Sequence, residues 1–76
     1  MTKRFIPSVS GTNQIKIYNA ETGNLYKVFN VGGKITGQPI VTESELYVEV
    51  TTTGNKKFIR YYSLPNFTLK KSVNLD

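Results

Sequence analysis

The 76-residue sequence contains no cysteine, no histidine and no tryptophan. Without cysteine, neither a disulfide nor a thiolate zinc centre can brace so small a chain. Without histidine, the commonest general base and the commonest metal ligand are missing, and with them most catalytic triads and dyads. Acids are scarce: five Asp and Glu stand against ten Lys and Arg, for a net charge of +5. The one acidic cluster is Glu43, Glu45 and Glu49. Glu45 and Glu49 share the parity of Tyr47, on the solvated face of a strand, where pairing with lysine is expected. General acid–base work would need carboxylates held in a water-poor cleft, and a calcium site would need a loop of supporting oxygens. No apolar run approaches the ~18 residues of a membrane span, and "MTKRFIPSVSG" lacks the apolar segment of a secretory signal. These absences predict a non-enzymatic protein with no catalytic, metal or cofactor residues, no membrane partner, and a place in the cytoplasm or in a virion.

What is present is strand-forming. Val, Ile, Thr, Tyr and Phe are broken by Gly, Asn and Pro every eight to ten residues or so, the pattern of short antiparallel strands. Strands are predicted at 4–9, 14–19, 24–31, 38–42, 45–52, 57–63 and 67–75, with breaks at "SGTN", "AETGN", "GGKITG", "TESE", "TTGNKK" and "LPNF". The clearest alternation sets Leu46, Val48 and Val50 against Tyr47, Glu49 and Thr51, one face dry and the other wet. "VGGKITG" at 31–37 has neither the spacing of a phosphate-binding loop nor a helix after it, and reads as a connection. The length fits a single domain, residues 1–76.

The chain also echoes itself. A shift of 44 residues sets Ile15 on Ile59, Lys16 on Arg60, Tyr18 on Tyr62, Leu25 on Leu69, Lys27 on Lys71, Phe29 on Val73, Asn30 on Asn74 and Val31 on Leu75. Adjusting by one residue sets Gly11 on Gly54 and Phe5, Pro7 and Val9 on Val48, Val50 and Thr52. A period of about 40 to 50 residues with four strands per unit suits a propeller blade.

The stretch from Ile15 to Val48 resembles a blade of the quinoprotein-like and YVTN-like β-propellers. Asn19, Thr22 and Gly23 match the turn, followed by Gly32, Gly33, Pro39, Val41, Leu46, Tyr47 and Val48. The resemblance implies about 1.7 blade units: a three-stranded partial blade over 4–31 and a four-stranded blade over 38–75. The chain lacks the docking tryptophan of quinoprotein blades, Asn19 replaces the usual Asp of the turn, and "SLPNF" keeps neither the Thr nor the Gly. No quinone or calcium ligands carry over. Two blades alone expose a sheet face on each side, so a β-propeller-like arrangement is expected to arise by self-assembly; the alternative is a small sandwich or barrel.

Function is therefore expected to lie in contact. The first reading is a structural protein that forms a homo-oligomer by sheet association, with Phe5, Val9, Tyr47, Val73 and Leu75 at the interface. It could also join another protein in a larger assembly, and its compact, lysine- and asparagine-rich character suits a small phage or virion component. The alternative reading is a basic module binding single-stranded nucleic acid through "NKKFIRYY", with Lys56, Lys57, Phe58, Arg60 and Tyr61 interleaving cations and rings.

Overall fold

A computed structural model describes residues 4–75; residues 1–3 and residue 76 lie outside the described part. The described chain is all-β and antiparallel, with no helix. The first sheet has the order β1 (Phe5–Ser10), β2 (Gln14–Asn19), β3 (Leu25–Asn30). The second is built on the long hairpin of β6 (Glu45–Thr52) and β7 (Lys56–Ser63), with β8 (Thr68–Asn74) beside β7. Two short strands, β4 (Lys34–Ile35) and β5 (Ile40–Val41), share the other edge of β6.

That shared edge corrects the sequence reading in two places. The strand expected at 38–42 shrinks to Ile40–Val41, and the connection "GGKITG" contributes β4. Pro39 has no N–H to give a ladder, so one continuous strand is replaced by two short pairings on either side of it.

One core lies between the sheets. Phe5, Ile15, Ile17 and Val31 enter from the first, and Leu46, Val48, Val50, Tyr62 and Phe67 from the second. Side chains alternate across a strand, so odd-numbered positions of β1 and β2 face the core while even-numbered positions of β6 and β7 do.

The two later hairpins, β2–β3 and β7–β8, pair in the same register. Ile15 lies opposite Phe29 as Ile59 lies opposite Val73, and Tyr18 opposite Leu25 as Tyr62 opposite Leu69. Each ladder slips at the corresponding place, leaving Tyr26 in one and Lys70 in the other as the extra residue of a bulge. Their turns close alike: Gly23 N–H donates to the Asn19 carbonyl and Phe67 N–H to the Ser63 carbonyl, both at 2.7 Å. Gly23 takes φ +77°, where glycine meets no penalty, and Phe67 takes φ +56°, where a side chain costs about 1–2 kcal/mol. "SLPNF" thus makes the closing hydrogen bond of "AETGN" without its glycine. The backbone strain is offset by burial of the Phe67 ring against Phe5, at 5.2 Å between centroids, and Phe29, at 6.0 Å.

Upstream, the pairing differs from the expected match. Gly11 and Gly54 both sit in turns, yet Phe5 lies opposite Asn19 while Glu45 lies opposite Ser63. By cross-strand partner, Phe5 therefore corresponds to Glu45, an offset of 40, and not to Val48. The β6–β7 hairpin is extended at its tip by Thr51, Thr52, Lys56 and Lys57. Matching the turn glycines slides the comparison by an odd number of residues, which exchanges the two faces.

Candidate interaction surface

The outer face of the second sheet is where exposed apolar and aromatic chains meet. On β6 the even positions point to the core, so Glu45, Tyr47, Glu49 and Thr51 point away. Tyr47 lies opposite Tyr61, with ring centroids 5.6 Å apart, and Lys71 from β8 brings its Nζ within 4.7 Å of the Tyr61 centroid. Ile40 extends the row from β5, opposite Tyr47. A second row joins Ile59 to Val73. Ile40 and Val73 are 45% and 42% exposed, and Leu75 beyond them is 50% exposed.

Charged groups frame this face. Lys70 and Glu45 form an ion pair at 2.8 Å, and the hydrogen bond from Lys70 holds the Glu45 carboxyl below its ordinary pKa. Thr36 Oγ1 donates to Glu49 at 3.1 Å. Both carboxylates are thus engaged at the surface of a strand, as lysine and threonine partners would have them.

The interface residues expected from sequence divide. Tyr47 and Val73 lie on this outer face and Leu75 continues it, but Phe5 does not: at 8% exposure it is a core residue, packed on Tyr26 at 4.8 Å. Val9 lies on the core-facing parity of β1 yet is exposed at the sheet's margin. Among the described residues no strand pairs with the free edge of β1, so its backbone groups there remain open to a partner.

The basic aromatic stretch is taken apart by its own alternation. Phe58 and Arg60 lie on the core side with Tyr62; Tyr61 lies on the outer side; Lys56 and Lys57 sit at the exposed end of the hairpin. Arg60 Nη1 donates to the Val31 carbonyl, and Gly32 beside it takes φ +81°, a conformation that favours glycine. The Arg60 guanidinium lies 5.9 Å from the Phe58 centroid, and its Nε is buried without an acceptor. Burial pushes the Tyr62 hydroxyl above its ordinary pKa, with Arg60 acting against that rise. Arg60 is therefore a positioned core-side cation, on the opposite face of β7 from Tyr61.

The outer face of the first sheet carries a second patch. Ile6 and Leu25 are 52% and 53% exposed, with Val28, Tyr18 and Lys16 on the same side. An open cleft of about 620 Å³ lies between the start of β1 and β5, with Arg4 and Glu43 as the charged residues of its lining. No group of three or more Asp or Glu among the described residues is placed to hold a metal ion.

Sequence reasoning missed that Ile59, Tyr61, Tyr47 and Val73 make one surface. The signal was present in "FIRYY": apolar or aromatic residues stand at both parities of β7, the pattern of a strand covered on both faces. No protein-family model, curated protein or solved structure matches this chain.

Proposed function

We propose that this protein acts by sheet-mediated self-association, as a non-enzymatic structural component whose copies build a β-propeller-like assembly. The observation that carries the reading is the outer face of the second sheet, where Tyr47, Tyr61, Ile59 and Val73 sit together at the surface. Tyrosine is favoured in the cores of protein interfaces, where its ring contributes area at little entropic cost. The free edge of β1 gives a second kind of contact, strand addition by a neighbour.

Light scattering on the full chain across protein and salt concentrations tests this. A discrete oligomer that survives high salt supports apolar sheet contact; an 8.6 kDa species at every concentration contradicts it. A second reading rests on the Lys71–Tyr61–Tyr47 stack, which combines a cation with two rings on a sheet of a +5 chain. It expects a labelled single-stranded oligonucleotide to bind with an affinity that falls steeply as salt rises.

A further inference from the structure

We propose that copies of this chain stack head to tail, the outer face of the first sheet of one copy lying on the outer face of the second sheet of the next. The contact repeats in sense the one between the two sheets within the chain. This inference rests on the self-association reading and gives it a partner and a polarity.

The argument comes from the shared register. Inside the chain, the odd-numbered face of the first sheet packs on the even-numbered face of the second. The odd-numbered face of the second sheet is therefore the counterpart of a face that is already buried once. It has kept that character along β7 and β8, where Ile15, Ile17, Phe29 and Val31 correspond to Ile59, Tyr61, Val73 and Leu75, and has lost it on β6, where Phe5 and Val9 correspond to Glu45 and Glu49. The outer face of the first sheet is likewise the counterpart of the face that covers them. Leu46, Arg60 and Tyr62 correspond there to Ile6, Lys16 and Tyr18.

Three contacts within the chain specify three between copies. The Phe29 and Tyr62 rings meet at a tilt with centroids 4.8 Å apart, which places Val73 against Tyr18 of a second copy. Arg60 donates to the Val31 carbonyl, which directs the second copy's Lys16 to the Leu75 carbonyl. Lys27 Nζ donates to the Asn66 carbonyl in the opposing turn, which directs Lys71 to the Thr22 carbonyl of that copy. The match is weakest at the hairpin tip, where Ser8 and Ser10 stand for Val48 and Val50, so the contact centres on Ile6, Tyr18 and Leu25.

The two faces differ, so the interface is heterologous: it closes into a ring or runs on as a filament. Radial arrangements of stacked sheets typically hold about 4–8 sheets, which corresponds to about two to four copies.

Face-blocked variants test the polarity. Tyr61→Glu blocks the second sheet's outer face and Ile6→Glu blocks the first sheet's, each at a site away from the core. Circular dichroism checks folding, and Val73→Glu with Tyr18→Glu is the substitute pair if either fails. By light scattering, well above the concentration at which the native chain assembles, each variant alone is expected to be a monomer and their mixture a 1:1 dimer. Self-association of the Ile6→Glu chain alone would show back-to-back pairing of second sheets and overturn the proposal. A mixture that stays monomeric while the native chain assembles overturns the stacking but leaves self-association standing. A native chain that never assembles removes both.

Discussion

At the base of the first sheet, the buried Phe5 ring meets the exposed Tyr26 ring at a tilt, with centroids 4.8 Å apart; at the corresponding place in the second sheet, Glu45 and Lys70 form an ion pair at 2.8 Å. The backbone around both pairs follows one plan: the same ladder register, the same bulge, the same turn hydrogen bond. What differs is which face each sheet turns to the core. Hairpin pairing and turn geometry fix the scaffold, and packing against the other sheet then decides which alternate set of side chains must be apolar. The first sheet shows the outcome when the odd set is buried. The second shows the outcome when the same set is outside, with charge at its base and rings and branched chains kept along its middle.

Replacing core residues should separate the two sheets most sharply. Phe67→Ala removes a ring that meets Phe5, Tyr26 and Phe29, and should cost about 3–5 kcal/mol in denaturant unfolding. Phe67→Gly should be less damaging than that by about 1 kcal/mol, because glycine takes the positive φ without strain. If the alanine variant proves the more stable, strain at Phe67 does not limit the turn. Next comes the corresponding pair Ile17 and Tyr61. Ile17→Ala, at a fully buried site, should cost about 2–5 kcal/mol. Tyr61→Ala should cost the isolated chain less than about 1 kcal/mol while weakening assembly. Equal losses of stability at the two sites would mean that Tyr61 belongs to the core of the single chain.

Titration gives two smaller effects of opposite sign. Tyr62 is held protonated by burial, so its folded pKa lies above the unfolded one. Its contribution is present below about pH 10, the unfolded value, and is lost as pH rises through the folded value. Stability of the native chain should therefore fall in alkali, and Tyr62→Phe should flatten that fall. Glu45 has its pKa lowered by Lys70, so its contribution is present above the ordinary carboxylate value and is lost as pH falls through the lowered one. Because the pair is exposed, Lys70→Gln should change the acid limb only slightly and high salt should erase the difference. A large acid effect would place the pair inside a contact between copies.

Much of the scaffold can be read from the residues themselves. The alternation of Leu46, Val48 and Val50 marks a half-buried strand, and the 44-residue echo runs through positions that share cross-strand partners. The match upstream of Gln14 could not be read correctly, because turn glycines advertise where a hairpin ends and not how long its arms are. The burial of Phe5 was hidden for a related reason: parity along β1 says which residues share a face, but only the opposing sheet says which face is dry. The place of Arg60 was hidden as well, since nothing local in "FIRYY" indicates that its guanidinium finds the Val31 carbonyl across the core.

The most direct test uses the absence of cysteine. Chains carrying Tyr18→Cys and chains carrying Val73→Cys are mixed and treated with a short thiol-to-thiol cross-linker, and the products are separated by mass. The account expects a cross-linked pair made of one chain of each kind, and none from either chain alone. Cross-linking within the Val73→Cys population, or none in the mixture while the native chain assembles, would contradict the head-to-tail arrangement of the two sheets.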